Sequence, residues 1–269
     1  PGSTQIALSA LATAAGATSR VRLLSSIVIA PLHHPVMLAK EAAIVDTTSG
    51  GRLTLGVGVG GEFKTEFNAL DIPHKQRGAR TNETLEILSK LWNEKDVSYD
   101  GRFFSFQGLT ICPAPVQEPG PPVWVGGRSE LAMRRAVKYG DGWIPYLYRP
   151  SHYQRSVEIV GNMLTINGLE PQAFGWGLHL MAVVADSRDE ARTIAAKGLR
   201  KGYIYDGNYE RLADRYCLLG PPDECVEQLR EFYDAGARDI LLSWLTPNDQ
   251  ITSQITVIGQ EVIPVLGAS

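Results

Sequence analysis

The sequence is poor in cysteine and carries no motif for a catalytic metal or an activated nucleophile. Its three cysteines, Cys112, Cys217 and Cys225, form no CxxC pair, which argues against a zinc site or a disulfide framework and favours a reduced, cytoplasmic protein. No GxSxG, GK[ST] or HExxH motif occurs, which argues against a nucleophile-elbow hydrolase, a P-loop nucleotidase and a zinc protease. A bound organic cofactor is therefore the expected carrier of any chemistry.

An excess of charge of one sign and long apolar runs are also missing. The 26 Lys and Arg residues against 29 Asp and Glu give a net charge of −3, so there is no electrostatic reason to expect nucleic-acid or anionic-membrane binding. No run reaches the roughly 18 apolar residues that span a bilayer. The first residues lack the basic-then-apolar pattern of a signal peptide. We expect one cytoplasmic globular domain over residues 1–269 whose partner is a small molecule.

What the chain does have is a regular alternation of strand and helix patterns. Amphipathic segments follow most of the apolar runs, and Ser129, Ser151 and Ser187 stand where helix N-caps are expected. Because parallel strands need crossover helices, the alternation predicts a parallel α/β sheet, with a (β/α) barrel and a doubly wound sheet both open. Six strands are predicted, over 21–28, 53–59, 123–125, 142–145, 178–184 and 239–244.

The second of these strands ends in a run of glycines. Val57 and Val59 separate Gly56, Gly58 and Gly60, and Gly61 and Glu62 come next. Glycines at a strand end let a flat ligand approach the backbone closely, because no Cβ stands in the way. Barrel curvature together with a tight turn explains the same glycines without a ligand.

The third strand runs into Gly126-Gly127-Arg128-Ser129 just before a predicted helix. Backbone N–H groups at a helix start, with a guanidinium and a hydroxyl nearby, form a phosphate-binding site. The alternative interpretation is an ordinary helix start with an exposed arginine.

Two further strand ends carry titratable or aromatic side chains. His33 and His34 follow Ser25-Ser26-Ile27 and can serve as an acid, a base or a hydrogen-bond donor to a substrate, although the residues by themselves favour two exposed loop histidines without such a role. Tyr146 follows Asp141-Gly142-Trp143, an aromatic strand end suited to stacking on a flat ligand or to core packing.

Together these segments resemble the bacterial luciferase-like family of flavin- or deazaflavin-dependent oxidoreductases. The resemblance runs from Ile6 to about Leu245. Each of its blocks is short, but their order and spacing are specific. The matching blocks are Thr18-Ser19-Arg20-Val21-Arg22-Leu23, Gly51-Arg52-Leu53-Thr54-Leu55-Gly56-Val57-Gly58, Tyr99-Asp100-Gly101-Arg102-Phe103-Phe104, Pro113-Ala114-Pro115, and Val125-Gly126-Gly127-Arg128-Ser129 through Gly140-Asp141-Gly142-Trp143.

The resemblance implies a luciferase-like (β/α)8 TIM barrel that holds reduced FMN or coenzyme F420, a deazaflavin, in its mouth. The six predicted strands are two fewer than that barrel has, and the segment from Thr4 to Ala15 resembles the helix that follows its second strand. Strands 1 and 2, and with them a catalytic acid or base, are therefore expected to be missing from this sequence.

The site residues that the resemblance implies fall into two groups. A non-proline cis peptide is expected at Ser26–Ile27 behind the ring; Gly58, Val59, Gly60 and Gly61 are expected along the ring or ribityl chain, and Gly126, Gly127, Arg128 and Ser129 at the phosphate. The catalytic candidates are His33, Glu62 and Tyr146, and no metal is expected.

The implied activity is hydride transfer or oxygen insertion on a small organic substrate. A flavin reductase or F420 reductase is expected as the electron source, and a homodimer as the assembly. Arg128, Arg134 and Arg135 would favour F420 if they formed a basic strip for its polyglutamyl tail. Two alternatives remain open: a non-catalytic flavin-binding protein on the same barrel, and an unrelated barrel enzyme for a phosphorylated metabolite.

Overall fold

The structure is a computed structural model that describes residues 7–202 and 207–267. The chain divides into two compact units. Within the described residues, the first unit contains 7–144 and 172–174, and the second contains 145–171, 175–202 and 207–267.

The first unit is built on a parallel sheet. Strands β1 (Leu23–Leu24) and β2 (Val28–Ile29) both pair with β3 (Leu53–Gly58), which also pairs with β6 (Val123–Gly126), and β6 pairs with β7 (Gly142–Ile144). Strands β3, β6 and β7 are buried along their whole length. Their near-continuous apolar runs are typical of parallel strands that are covered on both faces.

Helices follow or connect these strands as the alternation predicted. They are α1 (Ala7–Ala17), α2 (Pro35–Ser49), α3 (Lys64–Ala69), α4 (Arg77–Asn93) and α5 (Glu130–Tyr139). Ser129 is the N-cap of α5, as predicted, and its hydroxyl oxygen accepts the N–H of Ala132 at 3.3 Å. In the part of the chain that the structure describes, no strand precedes α1.

An antiparallel hairpin, β4 (Val97–Asp100) with β5 (Ser105–Leu109), follows α4. The buried carboxylate of Glu83 accepts the backbone N–H groups of Phe103 and Phe104 at 2.9–3.2 Å. These hydrogen bonds attach the hairpin tip to α4.

The second unit is built around a long central strand. Its elements are α6 (Pro150–Ile166), β8 (Gly175–Val184), α7 (Arg188–Gly202), α8 (Tyr209–Tyr216), β9 (Cys217–Gly220), α9 (Pro222–Asp234), β10 (Asp239–Trp244) and α10 (Ile251–Val257), which continues through a π-helical segment, Ile258–Val262, into α11 (Ile263–Leu266). Strand β8 pairs in parallel with β9 and with β10. The Ser187 hydroxyl accepts the N–H of Glu190 at 3.3 Å at the start of α7, where a serine cap was predicted.

Three details of the strand and helix pattern differ from the sequence-based expectation. The single strand predicted over 21–28 is two short strands, β1 and β2, with Ser25–Ile27 between them. Helix α6 begins at Pro150 with Arg149 as its N-cap, so the N-cap predicted at Ser151 is wrong. A proline at the first helical position already has the helical φ, which favours a helix start without a side-chain cap. The sequence does not predict strand β9, because its four residues lie between α8 and the proline-led start of α9.

All three cysteines are unpaired; Cys217 and Cys225 are buried and Cys112 is exposed. Within the described ranges, no helix is both long and apolar enough to span a membrane.

Candidate functional site

The first unit brings the start of β2 and the carboxyl ends of β3 and β6 together around Ile27. The Ser26–Ile27 peptide bond is cis, as predicted. A side chain on Gly58 would overlap Ile27 Cδ1, and one on Gly126 would lie 3.2 Å from Ile27 Cγ2. Ile27 thus packs directly over glycines of the two neighbouring strands, and three segments that are separate in the sequence form one surface.

The side chain of Ser25 links the segment before Ile27 to β3. Its buried hydroxyl donates to the carbonyl of Gly56 at 3.0 Å and accepts the N–H of Gly56 at 2.9 Å. A Cβ on Gly56 would collide with the carbonyl oxygen of Ser25. Glycine at this position therefore allows β1 and β3 to approach closely just before Ser26.

The start of α5 has the groups of a phosphate site. Gly127 has a φ of +127°, a side chain there would come within 2.8 Å of the Ala132 Cβ, and its carbonyl accepts the indole N–H of Trp143 at 2.9 Å. Ser129 uses its hydroxyl oxygen as the cap and still has its own proton to donate. The first amides of a helix have no intrahelical acceptor, and Arg128 is exposed beside them. These groups fit a phosphate.

The arginines that follow do not extend this site into a basic strip. Arg134 forms an exposed ion pair with Glu130 at 2.6 Å. Arg135 is buried, which lowers its pKa, and its guanidinium donates to Asn82 Oδ1 at 2.6 Å. Two of the three arginines considered for a polyglutamyl tail are thus engaged by other side chains.

The glycines at the end of β3 and just after it leave room for two isoleucine side chains. Gly58 lies under Ile27, and a Cβ on Gly60 would come within 2.6 Å of Ile29 Cγ2. Val59 and Gly61 are half-buried beyond them, and Glu62 is exposed. A flat ligand at this edge would therefore meet Ile27 with the glycines behind it, whereas the sequence suggested bare backbone.

His33 and His34 have different environments. Burial lowers the pKa of His33, with a smaller opposing effect of Glu41, which favours the neutral imidazole. His34 caps α2: its Nδ1 accepts the N–H of Val36 at 3.3 Å, and its ring packs edge-on against Phe104. His34 therefore has a structural role at the start of α2, and a chemical role for His33 stays a prediction.

Tyr146 lies in the second unit, whereas His33 and Glu62 lie in the first. It is half-buried and forms a parallel bridge with His179. His179 Nε2 lies 2.8 Å from Ser243 Oγ, and burial lowers the pKa of His179. Among the described residues, no group of three or more His, Cys, Asp or Glu side chains is arranged to hold a metal.

Sequence reasoning does not identify the residues that support this surface. Ser25 is evident only as a neighbour of Ser26, and Trp143 suggests stacking or core packing, although its indole donates to Gly127. His74 and Arg77, which contact Gly61, carry no motif. Their three-residue spacing just before and at the start of α4 is the one signal available in the sequence.

Comparison with known proteins gives matches over most of the chain. The FMNH(2)-dependent dimethylsulfone monooxygenase of Pseudomonas putida is 29% identical over 188 residues, which are 69% of this chain. The matched segment spans only 50% of that monooxygenase. An F420-dependent glucose-6-phosphate dehydrogenase of Nakamurella multipartita is 26% identical, over 95% of this chain and 80% of that protein.

The solved structures agree with these matches. The monooxygenase RslO1 from Streptomyces bottropensis superimposes with a TM-score of 0.83 and 26% identity, over 97% of this chain and 83% of that one. The predicted fold class, a luciferase-like TIM barrel, is confirmed. The family model for luciferase-like monooxygenases matches residues 3–239, and the chain belongs to that family.

Proposed function

We propose that this chain binds reduced FMN or coenzyme F420 and acts as an oxidoreductase on a small organic substrate. The observation that carries the proposal is the convergence of the Ser26–Ile27 segment, the Gly58 strand end and the Gly126 strand end on one surface. The start of α5, with its phosphate-compatible groups, directly follows that surface. Bound reduced flavin would supply the electrons for oxygen chemistry, and bound F420 would supply a hydride.

The first unit divides the binding between two ends of the ligand. Gly126, Gly127, Arg128 and Ser129 would hold the phosphate at the start of α5, where backbone N–H groups and the helix dipole favour an anion. Ser26 and Ile27, with Gly58, Val59, Gly60 and Gly61 behind and beside them, would support the ring.

Three side chains are the proposed catalytic candidates. Burial lowers the pKa of His33, which favours the neutral imidazole that can accept a proton, and Glu62 is exposed just after the glycine run. Tyr146, in the second unit, is the third candidate, with a phenol that can donate a hydrogen bond.

Of the two cofactors, FMN is the first candidate. A polyglutamyl tail requires several accessible cations, and Arg134 and Arg135 are engaged by Glu130 and Asn82. One relative is FMNH(2)-dependent by name and another is F420-dependent, so the family itself supports both. With FMN, a separate flavin reductase would supply the reduced cofactor; we further propose a cytoplasmic homodimer.

A fluorescence titration with FMN and F420 tests the cofactor assignment. We expect saturable quenching with FMN and weaker binding of F420. Tighter binding of F420 would reverse the choice and assign hydride transfer, and binding of neither would contradict the proposed function. Oxygen consumption with reduced FMN and candidate substrates then separates an enzyme from a non-catalytic flavin-binding protein, which would bind without turnover.

A further inference from the structure

The loop after β3 is held by two side chains from the region where α4 begins. A Cβ placed on Gly61, whose φ is +125°, would lie 3.0 Å from both Arg77 Nε and His74 Nε2. The ring of His74 packs edge-on against the buried Phe67 with ring centres 5.1 Å apart. Gly61 therefore packs against the side chains of His74 and Arg77. His74 in turn packs against Phe67 of α3, and Arg77 is the first residue of α4.

Hydrogen bonds lead from Arg77 to His74 and from His74 to Gly61. Arg77 Nη1 donates to the His74 carbonyl at 3.0 Å and lies 3.3 Å from His74 Nδ1. An arginine can only donate, so Nδ1 accepts and the imidazole proton is on Nε2. Nε2 lies 3.3 Å from the Gly61 carbonyl and donates to it. The chain from Arg77 through His74 to Gly61 fixes the orientation of that peptide group.

The hydrogen-bonding capacity of the Arg77 side chain is not fully satisfied. Its Nε is buried and has no hydrogen-bond partner, and no ion pair of Arg77 is found among the described residues. An unsatisfied buried donor lowers stability. Buried donors without a partner are few in folded proteins, and a role in function is one reason for retaining one at the expense of stability.

We propose that Arg77 and His74 are positioning residues that hold the Gly60–Gly61 turn in the conformation that receives the cofactor ring. This inference rests on the proposed function. Because the two side chains act on the backbone of the turn and not on the phosphate, their loss weakens binding of every ligand that carries the ring, with or without a phosphate.

The test compares FMN with riboflavin, which has the same ring and ribityl chain but no phosphate. Arg77→Met removes the donors, and His74→Phe keeps a ring against Phe67 but removes both nitrogens. Arg77→Lys is the conservative variant. Arg52→Met is the matched control, because Arg52 bonds backbone carbonyls of α1 and α2 outside the site.

We expect Arg77→Met and His74→Phe to weaken FMN and riboflavin by the same factor, about tenfold for the loss of this hydrogen-bonded support. Arg77→Lys should recover part of the affinity, since an ammonium can still donate to the His74 carbonyl. Arg52→Met should lower the melting temperature without changing the dissociation constant. In the ligand-free protein, amide exchange over 59–62 should rise in Arg77→Met and stay unchanged in Arg52→Met.

Other results would overturn the inference in distinguishable ways. Weakening of FMN alone would show that Arg77 contacts the phosphate directly. Wild-type affinity in Arg77→Met, or unchanged amide exchange, would leave the proposed function standing and remove the positioning role. Failure of the wild-type chain to bind either ligand would refute the proposed function, and the inference with it.

Discussion

Replacing Arg52 with methionine tests whether one side chain fastens α1 and α2 to the start of β3. The Arg52 guanidinium donates to the carbonyls of Ala15, Thr18 and Val21 at 3.1, 2.8 and 2.8 Å and to the Thr18 hydroxyl at 2.9 Å. It also donates to the Ser49 carbonyl at 2.7 Å. Most of these acceptors lie near the carboxyl ends of the two helices, where unpaired carbonyls and the helix dipole favour a cation.

The expected loss in the free energy of unfolding depends on which of these acceptors can hydrogen-bond to water once the Arg52 side chain is removed. The bonds to Val21 and Thr18 are exposed, so their loss costs little, whereas those to Ala15 and Ser49 are partly buried. A hydrogen bond to a charged group contributes about 1.5–3 kcal/mol, and partial exposure places these two at or below the lower end. The expected loss is about 2–3 kcal/mol. At about 2–4 °C per kcal/mol for a chain of this size, the melting temperature should fall by about 4–12 °C.

Differential scanning calorimetry at neutral pH measures this shift. Arg134→Met is the control, because its ion pair with Glu130 is exposed and should contribute less than about 1 kcal/mol. If Arg52→Met melts within about 1 °C of the wild type, these contacts do not stabilise the fold as the reasoning requires.

Three further predictions concern other parts of the chain. Burial raises the pKa of Cys217 and of Cys225 to about 12, while Cys112 is exposed, so a thiol reagent at pH 8 should modify one cysteine in the native protein and three after unfolding; rapid modification of a second native thiol would contradict the burial. The pKa of His33 is lowered from 6.5 in the fold, so the unfolded chain binds its proton more readily and stability is lost as pH falls through about 6.5. His33→Asn should therefore reduce the fall in melting temperature between about pH 7.5 and 5.5, and an unchanged slope would refute the assignment. Gly161 lies inside α6, and a methyl group there would meet no atom within 4 Å, so Gly161→Ala should raise stability by about 0.5–1 kcal/mol in a urea titration; a decrease would show strain at that position.

Most helices and strands can be predicted from the sequence, because each has a strong local signal. Strands β3 and β6 are near-continuous apolar runs, and α5 begins after a serine and ends before a glycine. Strand β9 has no comparable signal: its four residues form a strand because β8 pairs with them. The start of α6 is misplaced because Pro150 and Ser151 are both plausible first-turn residues, and no local feature ranks them.

The candidate site is predictable only in part. The phosphate-compatible start of α5 follows from Gly126 to Ser129 and elementary electrostatics, whereas the cis peptide at Ser26–Ile27 is expected only from the family resemblance. What the glycines at the end of β3 and just after it contact cannot be deduced, because Ile27 and Ile29 reach them from the neighbouring strand β2 and the residue before it. Long-range contacts of this kind depend on strand register, which local sequence patterns do not specify.

The affinity of Arg128→Ala for FMN and for riboflavin is the decisive measurement of the proposed cofactor site, with Arg134→Ala as the control from the same helix region. If the start of α5 holds the phosphate, Arg128→Ala should weaken FMN by about 1.5–3 kcal/mol, roughly 10- to 150-fold, and leave riboflavin unchanged. Arg134→Ala, whose partner is Glu130, should bind both ligands as the wild type does. Equal FMN affinity in wild type and Arg128→Ala, or equal weakening of both ligands, would contradict a phosphate site at this helix start.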